Sequence, residues 1–304
     1  MSDGSESWSV AVGTAGGWHL VTTALEETWP EDSPVVFLGE WCRRYSRREQ
    51  WRSLDGIVAP YHWSEPAQRD RDYALIESLC DSIMPDLAHT MNTVHGVDRS
   101  TRYWRVVLGP WLCKFVSIVV ARLDAIYKVL EFAPIGTTRL LSIPKESMAS
   151  QNMFEFLEWE STDWWNHQIY GAVLEALPGI EIERIPVSCQ NGDMPDSGST
   201  DDTAVGTQDR SLPARLVAGA SQRLARRISR TGVFPIDTYL PYESELALHL
   251  RHGQLPLLWG MTDRTQVDAP ALPRNWTVSG KAIDPCDAFV RNLIPTAIPA
   301  AYVE

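Results

Sequence analysis

Short, solid apolar runs alternate with long helical stripes along this chain. "WHLVTTAL" (18–25), "PVVFLG" (34–39) and "GIVAPYHW" (56–63) are brief runs bounded by Pro, Gly and polar residues. Runs of this length, apolar on both faces, predict strands of a parallel sheet. Between the second and third lies "EWCRRYSRREQWRSLD". Its Trp41, Tyr45, Arg48 and Trp51 recur at helical spacing and predict a helix. From Pro66 to His95, Tyr73, Ile76, Leu79, Cys80, Ile83 and Leu87 mark a long helix, with Pro85 predicting a kink or break. Gly96 reads as its C-cap, and Asp98 or Ser100 as the start of a second long helix over Thr101–Phe132.

Further along, Ser161 or Thr162 suits the N-cap of a helix from Asp163. "GIEIERIPV" predicts a strand. Residues 189–211 are polar and rich in Gly, Ser and Asp, which predicts a flexible linker. A basic amphipathic helix ("LPARLVAGASQRLARRISR"), a strand ("GVFPIDTYLP"), a short helix ("YESELALHLRHG") and a C-terminal helix with an apolar tail follow. The expected organisation is a flexible N-terminus (1–17), an α/β domain with long central helices (18–188), the linker, and a C-terminal α/β segment (212–304). That segment completes the domain or leads into a second half. Strands alternating with helices give an α/β class, a Rossmann-like parallel sheet with long helices packed on it. Strand order stays open.

Charge narrows the partners. The chain of 304 residues carries a formal charge of -12, which argues against a nucleic-acid binder. Five scattered cysteines without C-x-x-C spacing read as reduced thiols of a cytoplasmic protein, and no metal is expected. "VVLGPWLCKFVSIVVARL" is interrupted by Lys114 and ends in Arg122, so it reads as a buried core helix. Arg223–Arg230, "RLARRISR", reads as a solvated basic face, with peripheral membrane or phosphate contact as the alternative. No G-x-G-x-x-G, Walker loop, G-x-S-x-G or H-E-x-x-H occurs.

The chemistry that remains sits at strand ends. Three of them pair a Trp with polar groups: Glu26, Glu27 and Trp29; Glu40, Trp41 and Arg43; His62 and Trp63. In an open α/β sheet, ligands bind outside the carboxyl ends of the strands. Convergence there would give carboxylates, an imidazole, guanidinium groups and indole faces, a composition suited to a sugar ring. The bland alternative is aromatic core with paired charges. Arg102 and Arg105, flanking Trp104 at a helix start, suit an anion or a surface pair. Asp163 and His167 lie four apart beside Asn166, as an Asp that orients a His base or as a capped helix start.

"LVTTALEETWP", "VVFLGEWCRRYSRREQW", "VAPYHW", "VHGVDRSTRYWRVVLGPWL" and "DWWNHQIYGAVLE" resemble the amino-terminal half of a transferase family of bacterial surface-polysaccharide loci. Its members are similar to a protein from a leptospiral O-antigen cluster. The resemblance covers about residues 18–180 and returns near the C-terminus. It implies a GT-B-like glycosyltransferase of two Rossmann-like halves, of which this chain is the acceptor-side half. The other half would carry the nucleotide-sugar site. No cofactor is implied beyond a nucleotide-activated sugar as co-substrate.

The implied partners are a saccharide or lipid-linked saccharide acceptor and a second-half subunit, at the inner face of the membrane. A base drawn from Glu26, Glu27, Glu40, His62, Asp163 and His167 would deprotonate an acceptor hydroxyl. Arg43, Arg102 and Arg105 would meet phosphate or carboxylate, Asn166 would add a donor and an acceptor, and Trp29, Trp41, Trp63 and Trp104 would wall the sugar. The rivals are a non-catalytic glycan-binding or regulatory module and a hydrolase built on Asp163 and His167.

Overall fold

A computed structural model describes residues 17–187 and 274–303, with helical positions at Ser244, Ala247 and Arg251. The chain divides into two compact units, residues 1–195 with 267–304 and residues 196–266. The expected linker, basic helix and strand over 189–241 lie outside the described residues.

Five parallel strands form the described sheet: β1 (Trp18–Val21), β2 (Val35–Phe37), β3 (Gly56–Val58), β4 (Ile135–Leu141) and β5 (Glu181–Ile185). Their order is β3-β2-β1-β4-β5. Every residue of β2 is buried on both faces, as a strand covered by helices must be. The sequence reading missed β4. Its "IGTTRLL" carries Gly, two Thr and Arg, which mask an apolar run. In the sheet, Thr138 Oγ1 donates to Leu20 O at 2.9 Å, so its polarity is satisfied in place. With β4, the sheet turns back on itself between β1 and β4, where α/β sheets bind ligands.

The helices are α1 (Arg48–Arg52), α2 (Pro66–His95), α3 (Thr101–Phe132), α4 (Met153–Trp159), α5 (Asp163–Ala176) and α6 (Pro285–Ala297). Neither Pro85 nor Pro110 ends its helix. Gly96 caps α2 at φ 62°, the left-handed region that glycine enters without strain. The helix expected over 40–55 is instead two 3₁₀ turns, Glu40–Cys42 and Tyr45–Arg47, and the five-residue α1. Arg43 and Arg44 leave helical dihedrals between them. Two indole N–H groups hold the chain there. Trp41 donates to Thr22 O at 3.1 Å, and Trp51 donates to Arg44 O at 3.0 Å.

Two cores share α3. Its Ala125, Ile126 and Val129 pack on the sheet with Tyr170, Val173 and Leu174 of α5. Its earlier turns pack with α2, α4 and α6 around Trp111, Phe115 and Trp165. α3 is long and apolar enough to cross a membrane, but its apolar side chains fill these cores, as the reading of a core helix expects. Because its last turns meet the sheet, the first half of α3 extends past the carboxyl ends of the strands.

Candidate functional site

The carboxyl ends of β3, β2 and β1 line up along one edge of the sheet, facing the N-terminus of α5. The chain after β1 is pinned by side chains rather than by a glycine-rich turn. Ala24 N–H donates to Asp163 Oδ1 at 3.2 Å, and Arg44 pairs with Asp163 Oδ2. Asp163 opens α5, where a carboxylate also favours the helix dipole, and Thr162 Oγ1 caps the same turn by accepting from Trp165 N–H. Beside it, Arg47 pairs with Glu26 at 3.2 Å. Glu27 lies in the same turn, half-buried.

Trp41 lies over Gly39 and is 37 % exposed. A Cβ at Gly39 would lie 2.1 Å from the Trp41 ring. Gly39→Ala is therefore expected to displace the indole, break its bond to Thr22 O and cost about 1–3 kcal/mol. Tryptophan emission and a denaturant midpoint read both effects; an unchanged spectrum would contradict this placement.

Arg122 joins the edge from α3. Its Nε donates to Asn166 Oδ1 at 2.8 Å, and its guanidinium carbon lies 5.6 Å from the centroid of the Tyr170 ring. No carboxylate pairs with it among the described residues, so it is an unneutralised cation at the strand ends. Asn166 is committed, accepting from Arg122 and donating to Glu160 O and Thr162 O.

His62 follows β3. It is 7 % exposed, and neither ring nitrogen has a partner among the described residues. Tyr61 and Trp63 flank it, with ring centroids at 4.7 and 4.9 Å. Burial first, then the Arg122 charge, pushes its pKa down to about 4, so the ring is neutral at pH 7. It lines a polar cavity of about 130 Å³ with Ser64, Glu65, Gln68, Asp124 and Lys128. Asp124 lies against the Asp72 carboxyl. Burial, then that contact and the Asp72 charge, raise the Asp124 pKa to about 7.

Several residues singled out from sequence do not converge here. Trp29 is core, donating to Thr23 O and meeting Phe37 edge-on. Trp63 is a support, donating to Asp72 Oδ2 at 2.6 Å and stacking on Tyr73. Glu40 faces solvent in a two-pronged pair with Arg43, which also lies over Trp51. Arg105 pairs with Asp81, while Trp104 is buried, bonded to Asn92 and stacked on His95. Arg122 lies seventeen helical steps after Arg105, about 26 Å at 1.5 Å per residue. Arg102 lies in the first turn of the same helix. The anion site expected there therefore lies away from the strand ends.

Asp163 does not orient His167. Asp163 turns to Ala24 and Arg44, whereas His167 points under β4, where its Nε2 accepts from Leu141 N–H at 3.0 Å. His167 is 2 % exposed. Burial, then the Arg184 charge, pushes its pKa down to about 4, so it is a neutral core residue and out of reach as a base. Sequence reasoning missed Arg44, Arg47, Arg122, Asp72 and Asp124. Asp72 gave a signal, as a carboxylate four residues before Ile76 on the apolar stripe of α2.

The buried histidines set an acid limit. The unfolded chain protonates His167 near 6.5, while the folded chain resists until about 4. Stability from His167 is thus full above pH 6.5 and lost as pH falls towards 4, by about 3 kcal/mol at 1.36 kcal/mol per unit. Asp124 has the opposite sign, because its raised pKa favours the folded state as pH falls from about 7. Urea midpoints across pH 4–8 are expected to fall on the acid side, and more steeply in Asp124→Asn. An equal slope in the two proteins would contradict the buried carboxyl pair.

A family model described as LIC12162 family transferase matches residues 18–304. No curated protein and no solved structure matches the sequence.

Proposed function

The chain belongs to the LIC12162 transferase family, and from that premise we propose that it serves glycosyl or related group transfer to a saccharide hydroxyl in bacterial surface-polysaccharide assembly, O-antigen included. The strand-end edge is the acceptor side of that reaction. The observation that carries this is the neutral, buried and unpartnered His62 beside the unpaired Arg122, at the carboxyl edge of a parallel sheet.

Other members of the pool supply walls and orientation. Asp163 and Glu26 are held by Arg44 and Arg47. His62 keeps a free acceptor nitrogen at neutral pH and so anchors the incoming hydroxyl. Arg122 suits the phosphate side of an activated donor, as a guanidinium with terminal N–H groups to spare. The turn after β1, Thr22-Thr23-Ala24, lacks the glycines of a phosphate-cradling loop. This supports an acceptor-side role, with most of the nucleotide held elsewhere, on a second half or a partner subunit. Saccharide or lipid-linked saccharide is the acceptor, and contact with the inner membrane face is peripheral.

The test mixes the protein with labelled UDP-, GDP-, CMP- and dTDP-sugars and a lipid-linked saccharide. A cell extract lacking this protein is added to supply the second half. Label is expected to reach the acceptor only when the protein is present. Nucleotide release that is independent of acceptor would overturn transfer and favour hydrolysis.

A further inference from the structure

Behind His62, α2 and α3 flank an open polar cavity whose carboxyls have no role so far. Its volume is about 130 Å³, room for more than one water. Asp72 stands behind it with both oxygens already accepting: Oδ2 from Trp63 Nε1 at 2.6 Å, and Oδ1 from Gln68 Nε2 at 2.7 Å. Asp124 lies against that carboxyl. Asp124 Oδ2 is buried and receives no N–H or O–H from the described residues.

Three constraints select a ligand. The neutral His62 ring offers one donor and one acceptor, and both nitrogens are orphaned more than nine-tenths buried. Asp124 adds a buried oxygen. Glu65 and Glu131 face Lys128, whose Nζ lies 3.8 Å from Glu131, and the Arg122 charge also reaches His62, so the charges nearly balance and favour a neutral ligand. An ammonium group has donors only and would leave the His62 N–H unpaired. Hydroxyls donate and accept, and two neighbouring ones satisfy all three positions.

We propose that this cavity binds a pair of neighbouring hydroxyls on a neutral polyol, one held by His62 and one by Asp124. The binding stands by itself. The catalytic role rests on the transfer reading above. There, Asp124 is the base: ionised beside Asp72, it takes the hydroxyl proton as the hydroxyl oxygen bonds to the donor carbon. The carbon–oxygen bond to phosphate breaks, and its electron pair leaves on the phosphate oxygen. The new O–H is on Asp124, and the negative charge is on the released nucleotide.

Saturation-transfer NMR on the whole protein tests the binding, with methyl hexosides, glycerol, their fully methylated ethers and inorganic phosphate as probes. Free hydroxyl compounds are expected to give signal and the ethers and phosphate none. Affinity is expected to fall about tenfold in Asp124→Ala, for one lost hydrogen bond, and signal to vanish in His62→Phe. His62 ring ¹⁵N resonances of the wild type should move on addition of the same hexosides, a readout that needs no variant. Undiminished binding in both variants, silence from every polyol with still ¹⁵N resonances, or competition by phosphate would each overturn the assignment. Polyol binding without any transfer would leave the cavity standing and remove the transfer reading. Transfer that keeps its rate and its fall below about pH 7 in Asp124→Asn would do the reverse.

Discussion

Arg291→Met is expected to destabilise the fold by about 3–5 kcal/mol, the cost of leaving a buried charge without its partner. Arg291 is 6 % exposed and joins α6 to α2. Its Nε donates to Asp287 Oδ1 at 2.7 Å, and its Nη1 donates to Asp86 Oδ2 at 2.8 Å and Ser279 O at 2.9 Å. Its Nη2 reaches Ser82 Oγ at 3.2 Å. Asp287 is fully buried, and after the substitution only Ile283 N–H would still donate to its side chain. Arg291→Lys rescues little, because an ammonium lacks the planar fork that reaches both carboxylates. Removing both charges, as Arg291→Met with Asp287→Leu, recovers much of the loss. Urea unfolding of wild type, Arg291→Met, Asp287→Leu and the double variant forms the cycle. Equal midpoints for wild type and Arg291→Met would refute the buried pair.

His62→Phe is expected to lower acceptor-dependent transfer about 100-fold, the scale on which a misplaced reacting group loses rate. Phenylalanine keeps an aromatic ring against the flanking Tyr61 and Trp63, so stability should change little. Both hydrogen-bonding positions are lost, so the acceptor hydroxyl is no longer held. The rate is measured at saturating donor while the acceptor is varied. A variant with wild-type kcat and acceptor KM would remove His62 from the site.

How much of this was written in the sequence depends on the range of each interaction. β2 was legible because three residues buried on both faces make a short solid run. The caps at Gly96 and Thr162 were legible because capping is local chemistry. β4 was hidden because its neighbours β1 and β5 supply the partners its polar residues need. Arg139, for example, donates to Trp29 O and Glu183 at 2.7 Å. The strand-end rule led to His62. The same rule overrated Trp29 and Glu40, since a side chain's direction depends on packing that spacing does not record. The Asp163 and His167 pairing failed for a similar reason: Ala24 N–H, Arg44 and Leu141 N–H, all distant in sequence, took both side chains. Asp72 with Asp124 was out of reach, because only the packing of α2 on α3 brings them together.

The central claim is that the strand-end edge is the acceptor side of a group transferase. The most direct measurement is a thermal-shift titration of the protein with neutral saccharides and with UDP-, GDP-, CMP- and dTDP-sugars, repeated in His62→Phe. A ligand at about 100 times its Kd adds roughly 2.7 kcal/mol to the folded state. The acceptor-side assignment predicts a shift with saccharides that His62→Phe abolishes, and none with the nucleotide sugars. A shift with one nucleotide sugar that survives in His62→Phe, with none from any saccharide, would contradict it and place the donor on this chain.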